Sequence, residues 1–382
     1  RGSIGTFVNK NGLIETASVN IPRFDYDPIS GECRGLLIEE SRANLLTSSN
    51  SFGAGDANYG ITASAAVSPD GTTNASLIFE KTTLSFKLYT AGFTAVIGTT
   101  YCGSAFVKYA GSNLYGRIKV GASNGITINL TNGSVLSSTG TCGVIPYPNG
   151  WYRIYAVWTA TTTSENLQLF LMDRISSNSL YQGDGSSGYY IYGAQVEQGS
   201  FPTSYIPTSA STVTRSADNV QMLGTNFSSW YNQSEGTVFC KFNAYNIMSS
   251  SFTGVFNISG PEPSGLNRLQ LLLNGPGGGG TTQPIYHNFY QNGPNFADYF
   301  GFVYRTGPTN NIMRYKDKDY FVASKDGNIR RNTTSNITTV PLTKTMNNLN
   351  IGRVTNYLNG AVSRFAYYPR ALNDAEIQYL TR

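Results

Sequence analysis

From Tyr189 to Val196 the chain alternates. Tyr190, Tyr192 and Ala194 fall on one side of the period, and Ile191, Gly193 and Gln195 on the other. Aromatic residues at period two fit a pleated, half-buried surface, so the stretch predicts a strand. Gly199, Pro202 and Pro207 then break regular structure. A run rich in Ser and Thr follows and ends at Arg215-Ser216-Ala217-Asp218. Residues 189–220 therefore form a seam, with one unit expected before it and another after it.

Upstream of the seam, residues 76–80, 84–90, 100–109, 115–120, 125–130 and 167–172 read as strands separated by Gly, Asn and Ser turns. Asn149-Gly150 opens the run from Trp151 to Thr159, where Trp151, Arg153, Tyr155 and Val157 share one face. Tyr152, Ile154, Ala156 and Trp158 share the other. Both faces are largely apolar or aromatic, which predicts a central strand with Trp158 buried. Residues 47–215 thus read as a sandwich. Ahead of them, residues 1–46 form a leader of short strands. Residues 4–8 and 13–19 flank Asn9-Lys10-Asn11-Gly12, a hairpin signal. The leader is too short to fold alone, so Ile4, Phe7, Leu36, Leu37 and Ile38 require a partner surface.

Residues 216–382 continue the all-β texture with a different sequence. Gly236 to Phe242, Leu269 to Leu273, Tyr320 to Ser324, Leu349 to Arg353 and Leu358 to Tyr368 read as strands. Asn373 with Glu376 three residues on gives a capping-box variant and the one convincing helix. The fold class expected is all-β: tandem antiparallel β-sandwiches behind a short N-terminal leader.

Composition narrows the function. Across 382 residues only 13% are charged, with 41 Gly and 26 Tyr, a profile of turn-rich β-sandwiches. A net charge of +5 at this length, with no basic run beyond Arg330-Arg331, leaves no nucleic-acid footprint. No apolar run approaches the ~20 residues that span a bilayer, so no membrane insertion is expected. The chain opens at Arg1-Gly2-Ser3 without an initiator Met or signal peptide, as a fragment or processed form does. Cys33, Cys102, Cys142 and Cys240 make no Cys-x-x-Cys motif. Cys102 and Cys142 are either a bridge or buried free thiols, and the lack of a secretory signal favours the thiols.

The wording of several segments is specific. A strand ending Tyr192-Gly193-Ala194-Gln195-Val196-Glu197 is followed by Phe201-Pro202-Thr203-Ser204-Tyr205-Ile206-Pro207-Thr208 and Val213-Thr214-Arg215-Ser216-Ala217-Asp218. This order resembles a segment of bacteriophage tail and fibre proteins that closes a carbohydrate-binding-module-like jelly roll. The Asn149-Gly150-Trp151-Tyr152-Arg153 start resembles the same modules. The leader's Arg23-Phe24-Asp25-Tyr26-Asp27-Pro28, Gly35-Leu36-Leu37-Ile38-Glu39-Glu40 and Asn44-Leu45-Leu46 resemble a recurring leader of phage proteins. The last ~165 residues resemble the concanavalin A-like, laminin G-like fold. The marks are Ser324-Lys325-Asp326-Gly327, Asn348-Leu349-Asn350-Ile351-Gly352, the Gly360 to Tyr368 strand and Leu372-Asn373-Asp374-Ala375-Glu376-Ile377. The resemblance implies a leader over 1–46, a jelly roll over 47–215 and a laminin G-like sandwich over 216–382.

Catalytic constellations are missing from the sequence. His287 is the single histidine, no Gly-x-Ser-x-Gly elbow accompanies it, and no activity is expected to depend on it. The Glu-x-Asp-x-x-Glu of sandwich glucanases is absent, and Asp317 and Asp319 interleave with Lys316 and Lys318 as in a solvated turn. No Asp-x-Asp-x-Asp-Gly calcium loop occurs, so no cofactor is expected; a structural calcium held by scattered carbonyls is not legible. Gly275 to Gly280 lacks the Lys-Ser/Thr of a phosphate loop and reads as a flexible loop.

The densest aromatic and amide cluster lies just beyond it. Sugars offer apolar C–H faces to aromatic rings and hydroxyl edges to amides and carboxylates. On that chemistry the glycan-binding residues expected are Tyr286, His287, Tyr290, Asn292, Asp298 and Tyr299, with Trp230 near the seam as a second location. The resemblance implies a non-enzymatic virion protein, a tail fibre or tail tip, made in the host cytoplasm. Its partners would be host cell-surface polysaccharide and other virion proteins, and its assembly a homotrimer. The alternatives are an accessory part of a polysaccharide-degrading phage enzyme with its catalytic region upstream, or purely structural decoration.

Overall fold

The alternating stretches become strands, and the strands close into two units. The computed structural model describes residues 1–112, 115–172, 180–245, 252–260, 268–274, 283–290, 297–304, 307–316, 322–331, 346–354 and 356–381. One unit comprises Arg1–Cys33 with Ser41–Ser216, and the other Arg34–Glu40 with Ala217–Arg382. The leader is therefore shared between them. Its first part folds with the N-terminal unit, and its strand Cys33–Ile38 joins a sheet of the C-terminal unit through pairing with Gly360–Tyr368. Leu37 and Ile38 become buried there, so the partner surface that these two needed is the chain's own.

In the N-terminal unit two antiparallel sheets face each other. One runs in the order Cys142–Tyr147, Trp151–Thr159, Thr100–Tyr109, Gly188–Gln198, Thr73–Glu80, Tyr59–Val67. The other runs Val135–Thr139, Asn124–Asn129, Tyr115–Val120, Ser164–Met172, Leu88–Thr94. Neighbours in space are often distant in sequence, as in jelly rolls. Ile78, Val107, Ile118, Ile128, Ile154, Leu169 and Ile191 fill the space between the sheets. Each such buried side chain contributes about 1.5–3 kcal/mol. Trp158 lies in this core, edge-on to Phe93 with centroids 5.8 Å apart.

The Trp151–Thr159 strand is buried on both faces. Its second face packs Trp151 with Phe106, Tyr192 and Tyr205. Arg153 is buried there too, donating to Thr203 O at 2.6 Å and lying over the Phe106 ring. The predicted strand at 84–90 is two pieces, Leu84–Ser85 and Leu88–Thr94. Between them the Lys87 ammonium turns back to donate to Thr83 O at 2.7 Å, which breaks the extended run. The leader hairpin forms as Gly5–Val8 with Ile14–Ala17, and Asn9 Oδ1 accepts from the Asn11 and Leu13 amides across its turn.

The seam wording acquires a physical account. Beyond the strand the chain curls back so that Glu197 accepts from Gln195, the Thr203 amide and the Thr203 hydroxyl. Arg215 donates to Thr203 Oγ1 and Ser204 Oγ. Asn44 of the leader makes three hydrogen bonds to the seam, to Ala194 O, Ile206 O and Val196 N, and a fourth to Leu46 N within the leader. A buried polar network is stable only when its members are satisfied, so the order of residue types along the seam is constrained.

The C-terminal unit is also a sandwich. One sheet has six described strands, in the order Val220–Leu223, Asn348–Ile351, Phe252–Ser259, Arg268–Asn274, Gln283–Tyr290, Ala297–Tyr304. The facing sheet includes Asn328–Arg331, Val322–Lys325, Thr309–Lys316, Glu235–Ala244 and Gly360–Tyr368. Asp326 and Gly327 have φ of 47° and 81°, the left-handed pair of a tight hairpin. The C-terminal helix Asp374–Thr381 covers the outer face of this facing sheet with Ile377 against Phe239 and Ile312. Its capping box is reciprocal: Asn373 Oδ1 accepts from the Glu376 amide at 3.0 Å, and Glu376 Oε2 from the Asn373 amide at 2.8 Å. The fold class is all-β, with antiparallel sheets throughout the paired strands.

All four cysteines are free. Cys102 pairs across Val157 and Cys142 across Ala156, on opposite sides of the Trp151–Thr159 strand. Two strand spacings make about 10 Å, beyond disulfide reach, so the bridge does not form. Burial pushes the Cys102 thiol well up.

Candidate functional site

Strand parity decides which of the expected site residues reach a surface. On the six-stranded sheet Ile258, Leu269, Leu271, Leu273 and Ile285 point into the core. His287 pairs with Leu271 and shares that inward side; it is buried, in an aromatic strand, and not presented to a ligand. Tyr286 falls on the opposite face. It is half-buried and stands edge-on to Phe252, with centroids 5.7 Å apart. Tyr290 lies on the same strand opposite Arg268. Asp298 and Tyr299 sit on the Ala297–Tyr304 strand, opposite Phe289 and Asn288. Asn292, Asp317, Asp319 and Gly275 to Gly280 lie outside the described residues.

Trp230 is elsewhere and already engaged. Its ring packs against Phe227 and Tyr367, and its Nε1 donates to Asn226 O at 2.7 Å. Tyr231 stacks on Phe227 beside it, and burial raises the Tyr231 hydroxyl pKa. Trp230 is thus half-buried and packs against the core of the C-terminal unit.

The outer face carries a feature that no single stretch of sequence displays. Register places Gln221 opposite Asn350, Asn350 opposite Asn257, Asn257 opposite Gln270, and Gln270 opposite Asn288. Five residues thus stand in one row by register across five neighbouring strands, about 4.8 Å apart. Gln270 Nε2 donates to Asn257 Oδ1 at 3.0 Å, which fixes both amides. Gln270 is buried, Asn257 and Asn350 are half-buried, and Gln221 is exposed. Next to the row, Gly254, Leu272 and Tyr286 stand in register, with Phe252 one step beyond. Gln221, Asn350, Asn257 and Gln270 thus make a line of amide donors and acceptors beside an aromatic pair.

That combination suits a polyhydroxylated chain. An amide offers two donors and an acceptor, so it can bridge neighbouring hydroxyls, while a ring covers the apolar C–H face. The row was hidden in the sequence because its members lie between residues 221 and 350 and meet only through pairing. The one local signal was the alternation of Asn257, Gln270 and Asn288 with apolar neighbours. Among the described residues no three His, Cys, Asp or Glu side chains converge as metal ligands.

No family model matches the chain, and no curated protein matches it. Among solved structures, the CBM40 module of Ruminococcus gnavus IT-sialidase is similar at 10% identity and a TM-score of 0.34, covering 43% of this chain and 97% of that one. The same module bound to α2,3 sialyllactose gives 11% identity and a TM-score of 0.34 with equal coverage. Trypanosoma rangeli sialidase, in complex with 2,3-difluoro-KDN, gives 10% identity and a TM-score of 0.29, covering 80% of this chain and 60% of that one. At these scores the ligand of the present chain is argued from its own residues.

Proposed function

We propose that this chain is a non-enzymatic virion surface protein, a tail fibre or tail tip, that adheres to host cell-surface polysaccharide. The observation that carries the binding role is the amide row beside Tyr286 and Phe252. A linear glycan laid along the row would meet the accessible amides of Asn257, Asn350 and Gln221 and rest its C–H faces on the rings. The virion setting rests on the resemblance of the leader, the seam and the C-terminal segments to phage tail proteins. It implies other virion proteins as partners, assembly as a homotrimer, and synthesis in the host cytoplasm. Ile4, Ile21, Phe24 and Ile29 stay exposed in the N-terminal unit and supply apolar surface for such a partner.

A glycan array with whole-cell binding, run beside a reducing-end release assay, tests the reading. Capture of a glycan without release is expected, and Tyr286→Ala or Asn257→Ala should weaken capture about tenfold, the loss of one good contact. Capture unaltered by both variants would remove the sheet face as the site. Sugar release above background would remove the non-enzymatic assignment. Light scattering of the chain should give the mass of three copies, and a monomer at micromolar concentration contradicts the trimer.

A further inference from the structure

The outer face of the five-stranded sheet in the N-terminal unit gathers cations without counter-ions. Ile118, Leu169 and Tyr89 of this sheet point into the core, so their chain neighbours point out. Register then sets two short rows side by side on the outside. Arg117 stands opposite Phe170, and Phe170 opposite Leu88. Two residues along, about 6.7 Å away, Lys119 stands opposite Gln168, and Gln168 opposite Thr90. Thr90 is exposed and the other five are half-buried, so solvent reaches the face.

The Arg117 guanidinium lies over the Phe170 ring, 5.4 Å from its centroid. Among the described residues it makes no hydrogen bond and no ion pair, and none of its nitrogens is sealed from solvent. Burial lowers its pKa, and no carboxylate opposes that shift. Lys119 is likewise without a partner among the described residues. The five strands carry only one other charged residue, Glu165. It has the inward parity of Leu167 and Leu169, is buried, and accepts from the Thr161 and Thr162 amides at 3.1 and 3.2 Å. The strands therefore present two cations outward and no acid.

A half-buried cation loses hydration that a counter-ion normally offsets, and stacking on a ring offsets only part of it. The planar guanidinium is shaped to take a carboxylate through two parallel N–H···O bonds. Phe170 and Leu88 beside it offer apolar surface to the C–H face of a sugar, and Gln168 and Thr90 offer partners to its hydroxyls. Lys119 adds a second positive charge one step along.

We propose that this face is a second carbohydrate site, selective for a sugar chain that bears carboxylates. Arg117 pairs with the carboxylate of one uronate residue, the ring of that sugar rests on Phe170, and Lys119 meets the next negative charge. A neutral glycan leaves both cations without a counter-ion. The site lies wholly in the N-terminal unit and stands or falls apart from the amide row.

The test uses the whole chain. Calorimetric titration with short oligomers of galacturonate, of mannuronate and of hyaluronan is set against the methyl esters of the same oligomers, which keep the sugar and hide the charge. An oligomer of glutamate supplies the charge without the sugar. Amide chemical shifts recorded in parallel locate the binding. At least one uronate oligomer should bind, moving the amides of Arg117, Lys119, Gln168 and Phe170. Its ester and the glutamate oligomer should bind about tenfold more weakly or less. Arg117→Gln, which keeps hydrogen-bonding capacity and removes the charge, should weaken the uronate about tenfold, and Lys119→Gln about two- to fivefold. Should Arg117→Gln fail to fold, Lys119→Gln and the ester comparison decide. Four results would each overturn the proposal: no uronate oligomer bound, equal binding of its ester, shifts confined to the region of Asn257 and Asn350, or unaltered binding by folded Arg117→Gln. Equal binding of the glutamate oligomer also overturns it, since the face would then be a general polyanion surface.

Discussion

Asn44→Ala is the sharpest probe of how the leader and the seam hold together. Asn44 is fully buried, and its amide serves four main-chain groups at 2.9–3.2 Å: Leu46 N, Val196 N, Ala194 O and Ile206 O. Alanine leaves all four without it. An unsatisfied buried group costs about 1–3 kcal/mol, and carbonyls suffer less because they keep a second lone pair. A water entering the vacated space recovers part of the loss. The net expectation is a destabilisation of about 3–5 kcal/mol. Trp151 and Trp158 report this unit by fluorescence once the third tryptophan, Trp230, is changed to Phe. Guanidinium unfolding followed at those two rings should show the midpoint fall with little change in slope. Asn44→Asp keeps the acceptor but aims a carboxylate at two carbonyls, so it should cost at least as much at neutral pH and recover on acidification. A loss under about 1 kcal/mol for Asn44→Ala would refute the reasoning, since it would mean the four groups find other partners.

Three further outcomes are expected. Trp158→Ala should cost the same unit about 3–5 kcal/mol in denaturant unfolding, toward the lower end because the buried Nε1 has no hydrogen-bond partner to lose. Asp70 is held below its ordinary range: burial pushes its pKa up, but hydrogen bonds from Thr72, Ser68 and Asn74 outweigh it. A depressed folded value means its contribution is present above the unfolded value of 3.8 and is lost as pH falls through the folded one, so Tm should drop below about pH 4, and Asp70→Asn should flatten that limb. Asn373→Ala removes the acceptor for the Glu376 amide and should cost about 1 kcal/mol, with amide exchange accelerated in Asp374–Thr381 and unchanged exchange refuting the cap.

The sequence by itself determined the strands and their faces where periodicity was strong. Thr100–Tyr109 and Tyr115–Val120 lie where the sequence predicts strands, the first buried on both faces and the second burying alternate side chains between the sheets. Both faces of Trp151–Thr159 were apolar in the sequence, and both are covered in the fold. The capping box at Asn373 was legible because its two hydrogen bonds span three residues and need no tertiary partner. His287 and Tyr286 looked equivalent in a cluster, yet one faces the core and the other the opposite side, since successive side chains on a strand point to opposite faces. Only the tertiary structure decided what depends on pairing distant strands. It sent residues 34–40 to the C-terminal unit, aligned Gln221, Asn350, Asn257, Gln270 and Asn288 in one row, and set Arg117 beside Phe170 on one face. Register and sheet order set those encounters, and both arise from the free energy of the whole core rather than from the local residues that end up touching.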